Sequence, residues 1–368
     1  MVQSINPTQK NDETDGLPMP KRIWAVVSVG FALCMSVLDI NIVNIVLPTL
    51  SHDFGTSPAV TTWIINGYQL AIVISLLSFS ALGEIIGYRK VFLSGIGLFC
   101  VTSLICALSD SFWTLTVARI FQGFSASAIT SVNTAQLRYI YPKSQIGRGM
   151  GINAMVVAIS AAAGPSVASG ILSIASWHWL FAINVPLGLT ALLLGIKHLP
   201  RQEERTKRKF DYISAIANAV TFGLLIYTLD GFAHHEKMDF LFIQLIVLAV
   251  VGTYYVRRQL TQTTPLLPLD LLRIPIFRLS ILTSICSFIA QNDSDGFFAF
   301  FPPEHFGTQR SHDRTSTHTV AVGYACHGSV GRISCRAHPP RYLGKCRDGS
   351  VCRRAFLAFQ SDCGVVRY

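Results

Sequence analysis

Two charged residues sit where an apolar environment is expected, and they carry the first suggestion of chemistry. Asp39 lies inside the apolar run Leu38-Asp39-Ile40-Asn41-Ile42-Val43-Asn44-Ile45-Val46-Leu47-Pro48. Arg119 lies inside Phe112 to Asn133, FWTLTVARIFQGFSASAITSVN. An arginine in mid-span costs about 2.5–3.5 kcal/mol on insertion scales, so it needs a partner or water. Gln122 follows at i+3, and Ala126, Thr130 and Asn133 continue that face at helical spacing. A buried carboxyl tuned by desolvation and by a nearby cation can load and release a proton. Asn44 shares a face with Asn41 and is a candidate hydrogen-bonding group of the same site. The blander alternatives are a structural hydrogen bond from Asp39 and an Arg119 that snorkels to an interface.

Such residues must be positioned by elements that suit a bilayer. The chain has 368 residues, of which 51% are hydrophobic and 14% charged, whereas soluble domains carry roughly 25% charged residues. A polytopic, all-α membrane bundle is predicted. Spans are expected near 24–47, 60–82, 91–108, 112–134, 149–172, 177–196, 212–229, 240–256 and 275–291. Helices follow because lipid leaves no backbone group unpaired and the alternating segments of a barrel are absent. The net charge of +10 sits at span ends, so it reports topology and not a nucleic-acid partner. Alternate connections hold Arg89 and Lys90; Arg138, Lys143 and Arg148; Lys197 through Lys209; and Arg257, Arg258, Arg273 and Arg278. The opposite connections hold only Lys237. The positive-inside rule therefore puts the N-terminus in the cytoplasm.

The expected organisation is a cytoplasmic tail over 1–22, a six-helix bundle over 23–197 and a basic cytoplasmic loop over 198–211. Spans seven and eight follow over 212–256, then a loop and the start of span nine over 257–291. Over 149–168, Gly149, Asn153, Ser160, Gly164 and Ala168 recur at multiples of about four, which lets backbones approach closely. Pro165 removes a helical hydrogen bond and permits a bend there. The loop Leu82-Gly83-Glu84-Ile85-Ile86-Gly87-Tyr88-Arg89-Lys90 packs a carboxylate, two glycines and a basic pair into a tight turn.

That loop resembles the cytoplasmic signature G-x-L-a-D-R-x-G-R-R/K of the major facilitator superfamily, with Ser80, Glu84 and Ile85 departing from it. Leu38 to Pro48 resembles the first-span signature L-D-x-T-I-V-N-V-A-L-P of the fourteen-span drug:proton antiporter branch. Arg119-Ile120-Phe121-Gln122-Gly123 resembles the fourth-span R-x-x-Q-G motif, and Gly164-Pro165 the fifth-span antiporter motif. Ser75 to Ser80 and Asn184-Val185-Pro186-Leu187-Gly188 add to the likeness, which runs from Gly16 to about Gln291. The resemblance implies an N-terminal six-helix half, two linker spans and part of a ninth. It also implies that spans one to three and four to six are inverted halves, with Asp39 and Arg119 lining a cavity from the first helix of each. By the same resemblance, Asp39, Asn44, Arg119 and Gln122 serve proton coupling or the cavity. Gly83, Glu84, Gly87, Arg89 and Lys90 form a cytoplasmic gate loop, and Gly164 and Pro165 the helix bend. The implied function is proton-coupled efflux of small hydrophobic or cationic compounds by a monomer in a bacterial inner membrane. Its partners are substrate, protons and lipid.

No cofactor is called for, since no P-loop appears, and no metal-spaced cluster or nucleophile elbow supports an enzyme. After Gln291 the character changes. Residues 292–368 hold 10 of the 30 Lys+Arg and 5 of the 9 Cys, with no run of span length. A disordered, out-of-frame tail is expected there. If His318 to Val322 is encoded CAC ACC GTG GCC GTT, the frame one base later gives Thr-Pro-Trp-Pro-Leu, which resembles transporter helix text. The alternative function is a truncated, inactive remnant that moves nothing on its own.

Overall fold

The computed structural model describes residues 16–201, 210–233, 238–262, 266–267 and 269–300. The basic stretch 202–209, Lys237, the five tail cysteines and the proposed change of frame lie outside them. Every regular element among the described residues is helical. In chain order these are α1 (Met19–Asp53), α2 (Pro58–Thr61), α3 (Trp63–Ile86), α4 (Tyr88–Ala107), α5 (Phe112–Ile140), α6 (Ile146–Leu172), α7 (His178–Ala182), α8 (Asn184–His198), α9 (Tyr212–Ala233), α10 (Met238–Thr261) and α11 (Pro275–Phe300).

Several boundaries differ from the sequence reading. α1 starts at Met19, inside the expected tail, because Pro18 and Pro20 fit the first helical turn. It also runs on to Asp53, straight through Pro48. The second and sixth spans are each broken, into α2 with α3 and α7 with α8. α11 continues to Phe300, so residues 292–300, expected to be disordered, extend the ninth helix.

Among the described residues, seven helical stretches are long and apolar enough to cross a membrane. α5 is not one of them. It has the length, since 29 residues span about 43 Å at about 1.5 Å each. Arg119, Gln122, Asn133 and Gln136 lower its hydropathy, and all four are buried against other helices. The polar residues of α5 thus lie on its buried face, while Trp113, Val117 and Phe121 stay exposed.

Packing pairs the first three spans with the next three. α1 lies against α6 and α8, while α5 lies against α3 and α4, and α4 also meets α8. Exchanging spans one to three with spans four to six maps this set of contacts onto itself, the pattern of two repeats about an axis. Gly123 explains how closely α5 and α3 approach. A Cβ on it would lie 2.4 Å from the Tyr68 carbonyl oxygen and 2.8 Å from Ala71 Cβ. With no core-against-lipid driving force, small residues at such crossings supply the contact.

α9 docks on α3, and α10 on α9. Asn218 Nδ2 on α9 donates to the Ile74 carbonyl at 3.1 Å, and Tyr255 Oη on α10 donates to Asn218 Oδ1 at 3.1 Å. Asp211 caps α9, accepting from the Ser214 backbone N–H at 3.1 Å. Arg258 Nη2 reaches the same carboxylate at 3.1 Å from the end of α10.

Candidate functional site

α1 carries Asp39 into the middle of the bundle, and α5 brings Arg119 opposite. Arg119 Nη1 donates to Asp39 Oδ2 and, at 2.8 Å, to Gln122 Oε1. Gln122 Nε2 donates to Asp39 Oδ1 at 3.2 Å and to Ser103 Oγ of α4 at 2.9 Å. Asn184 Nδ2, at the start of α8, donates to Asp39 Oδ1 at 3.0 Å. The i+3 spacing of Arg119 and Gln122 is what lets both side chains reach one carboxylate. Asp39 is 1% exposed, and Arg119, Gln122, Ser103 and Asn184 are fully buried.

Aromatic rings close the site. The Arg119 guanidinium sits 4.1 Å from the Tyr68 ring centroid and 5.8 Å from that of Phe181. A weakly hydrated planar cation suits such a cage. The Cys106 thiol reaches Gln122 Oε1 at 3.6 Å. The predicted acid, base and amide thus meet, but inside the half-bundle and not on an open cavity wall. The snorkelling alternative for Arg119 is removed by its complete burial.

Asn44 does not join them. It is exposed, because five residues along a helix turn it about 140° away from Asp39. Asn41 is turned away too, and donates to the Val37 carbonyl at 2.7 Å. The polar face of α5 also splits, with Ala126 and Asn133 buried and Thr130 exposed. Sequence reasoning missed Ser103, Tyr68 and Asn184, which raise no alarm by charge. The only signal for Asn184 was its place in the Asn184-Val185-Pro186-Leu187-Gly188 stretch.

The expected gate loop is the junction of α3 and α4. Gly87 ends one helix and begins the next at φ 103°, a left-handed value that glycine adopts at no steric cost. Its N–H donates to the Gly83 carbonyl at 3.0 Å. Gly83 faces the Tyr88 ring and Val132, where a Cβ would lie 2.6 and 2.9 Å from them. Glu84 is half-buried and Lys90 exposed. Arg89 Nη2 donates to the Ile196 carbonyl in the last turn of α8, a cation on a helix C-terminus. The loop therefore clamps α8 to α4 at one end of the bundle.

Gly164 faces α1, where a Cβ would stand 2.7 Å from Asn41 Cβ. Pro165 is exposed, and α6 continues through it. Ser169 Oγ donates to the Pro165 carbonyl at 2.8 Å. Cys34, Cys100, Cys106 and Cys286 are free thiols.

A polar knot of this kind joins the first helices of the two three-span repeats. The chain is a member of the major facilitator superfamily, whose family model matches residues 29–324. It is a multi-pass membrane protein of a transporter family, not an enzyme. It is 54% identical over 280 residues to the uncharacterized transporter YebQ of Escherichia coli K12, covering 76% of this chain and 61% of that one. The tetracenomycin C resistance and export protein of Streptomyces glaucescens is 31% identical over 295 residues, covering 76% of this chain and 54% of that protein. The drug efflux pump JefA of Mycobacterium tuberculosis H37Rv is 28% identical over 262 residues, covering 70% and 52% respectively. The chain thus spans between half and two thirds of the length of these relatives.

Proposed function

We propose that this chain supplies the first bundle of a proton-coupled exporter of small hydrophobic or cationic compounds. On this reading it acts as a monomer in a bacterial inner membrane, with its N-terminus in the cytoplasm. The single observation that carries the reading is the buried Asp39–Arg119 pair bridging the two repeats. Arg119 stays protonated at all working pH values. A proton arriving on Asp39 cancels the carboxylate charge and leaves Arg119 buried without its counter-ion. Leaving one member of a buried pair uncompensated costs about 3–5 kcal/mol, enough to bias α1 against α5. Proton occupancy would thereby select one packing of the two repeats over another. The export relatives support the direction of transport, and the basic connections support the orientation. Gly164 packed on Asn41, beside Pro165, marks where α6 would yield. Glu84, Arg89 and Lys90 would gate the cytoplasmic end through the α8 clamp.

The test is substrate-induced proton release in inverted membrane vesicles carrying this chain, with Asp39→Asn as the control. Proton flux lost with Asp39→Asn supports the reading. A flux unchanged by Asp39→Asn overturns it.

A second reading has its own support. Alternating access rocks two bundles around a shared site, and the described residues hold one bundle with α9, α10 and α11. On this reading the chain alone transports nothing. Vesicles that show no substrate movement with the chain alone favour it.

A further inference from the structure

α8 starts at Asn184, where the helical path from α7 is interrupted at Ile183. Pro186, two residues on, offers no N–H to the turn before it, so the interruption is built into the sequence. The break places Asn184 beside Asp39, with Nδ2 3.0 Å from Oδ1. Gln122 Nε2 shares that oxygen at 3.2 Å, while among the described residues Oδ2 receives only Arg119. Gly188, one turn along α8, holds the helix close. A Cβ on it would stand 2.3 Å from Cys100 Sγ and 3.0 Å from Met35 Sδ. Met35 is itself one turn from Asp39 on α1. α8 is thus seated against α1 and α4 on either side of the carboxylate.

The groups that face Asp39 are unevenly distributed. α5 presents Arg119, α3 presents Tyr68 and α4 presents Cys106. α6 and α7, also packed on α1, carry only Arg148 and His178, both near helix starts. α8 contributes one uncharged amide, and that amide touches the acid directly.

We infer that Asn184 is a positioning residue for Asp39, fixing Oδ1 so that the carboxylate stays aimed at Arg119 and proton uptake is read by α8. This rests on the proposed role of Asp39 as the proton-carrying group. A donor to the carboxylate favours its charged form. Removing that donor makes proton uptake easier, and Gln122 alone then holds Oδ1.

The experiment is infrared difference spectroscopy of the full chain in lipid nanodiscs over a pH series. The protonated-carboxyl band that disappears in Asp39→Asn belongs to Asp39. In Asn184→Leu the pH midpoint of this band is expected to rise by about one unit, a tenfold change in proton affinity. Asn184→Gln, which keeps an amide donor, is expected to return most of the shift. Asn184→Ser gives the same reading should the leucine variant not fold. An Asp39 band with one midpoint in wild type, Asn184→Leu and Asn184→Ser overturns the inference and leaves the proton-carrying role intact. A wild-type spectrum without any band lost in Asp39→Asn overturns both.

Discussion

Arg119 donates to Asp39 across 80 positions of sequence, and neither side chain is more than 1% exposed. The pair joins the two three-span repeats, so its energetics bear on how the repeats hold together. Arg119→Met should destabilise the detergent-solubilised protein by about 3–5 kcal/mol, because an unpaired carboxylate stays buried. Adding Asp39→Leu should recover part of that loss, since an apolar replacement of both partners leaves no orphaned charge. Unfolding midpoints of the two single variants and the double variant check this, and simple additivity would contradict it.

Gly123→Ala should destabilise by about 1–3 kcal/mol, the usual cost of overpacking, because its Cβ would enter the Tyr68 carbonyl. Gly97 is the internal control. A Cβ there meets nothing within 4 Å, and alanine gains about 0.5–1 kcal/mol over glycine within a helix. The two substitutions should therefore move the thermal midpoint in opposite directions.

The junction of α9 and α10 should loosen in acid. Desolvation pushes the Asp211 carboxyl up, but hydrogen bonds from the Ser214 hydroxyl and backbone N–H and from Arg258 outweigh it, holding the group down near about 2 from 3.8. A lowered folded-state value means a stabilising contribution that is complete above the unfolded value and disappears as pH falls. The stability difference between wild type and Asp211→Ala should stay constant down to about pH 4 and shrink towards pH 2. Melting curves of both proteins across that window measure it.

Tyr255→Phe should weaken the seating of α10 on α9 by roughly 0.6 kcal/mol, the mean for hydrogen bonds between membrane helices. Asn218→Leu breaks two hydrogen bonds and should cost about twice that. With Asn218 already changed, Tyr255→Phe should add nothing, because its acceptor is gone. Protease sensitivity of the chain between α10 and α11 would report the loosening.

Much of this site was legible because charge inside an apolar run announces itself. Asp39 and Arg119 each violate the composition of their own helix, and the i+3 partner Gln122 follows from geometry. Asn44 stands apart from Asp39 because it was matched to Asn41, and its angle around α1 was available from spacing alone. Asn184 and Ser103 were not legible, since an amide or hydroxyl costs little in a helix and helical spacing says nothing about which neighbour it meets. The helices were legible from apolar length, whereas the break before Trp63 falls inside an apolar run and the break before Asn184 is marked only by Pro186. The docking of α9 through Asn218 was hidden because its acceptor is a backbone carbonyl, which no side-chain pattern marks.

α5 falls short of the hydropathy that its neighbours reach, and this has a consequence for biosynthesis. Ribosomes emit roughly 5–20 residues per second, so the 80 positions between Asp39 and Arg119 take roughly 4–16 s to make. During that interval a nascent α1 holds an acid with no counter-charge, beside translocon and lipid. When α5 emerges, the waiting acid offers its arginine a reason to enter the bilayer. The helix least suited to insert alone is thus recruited by the one made first.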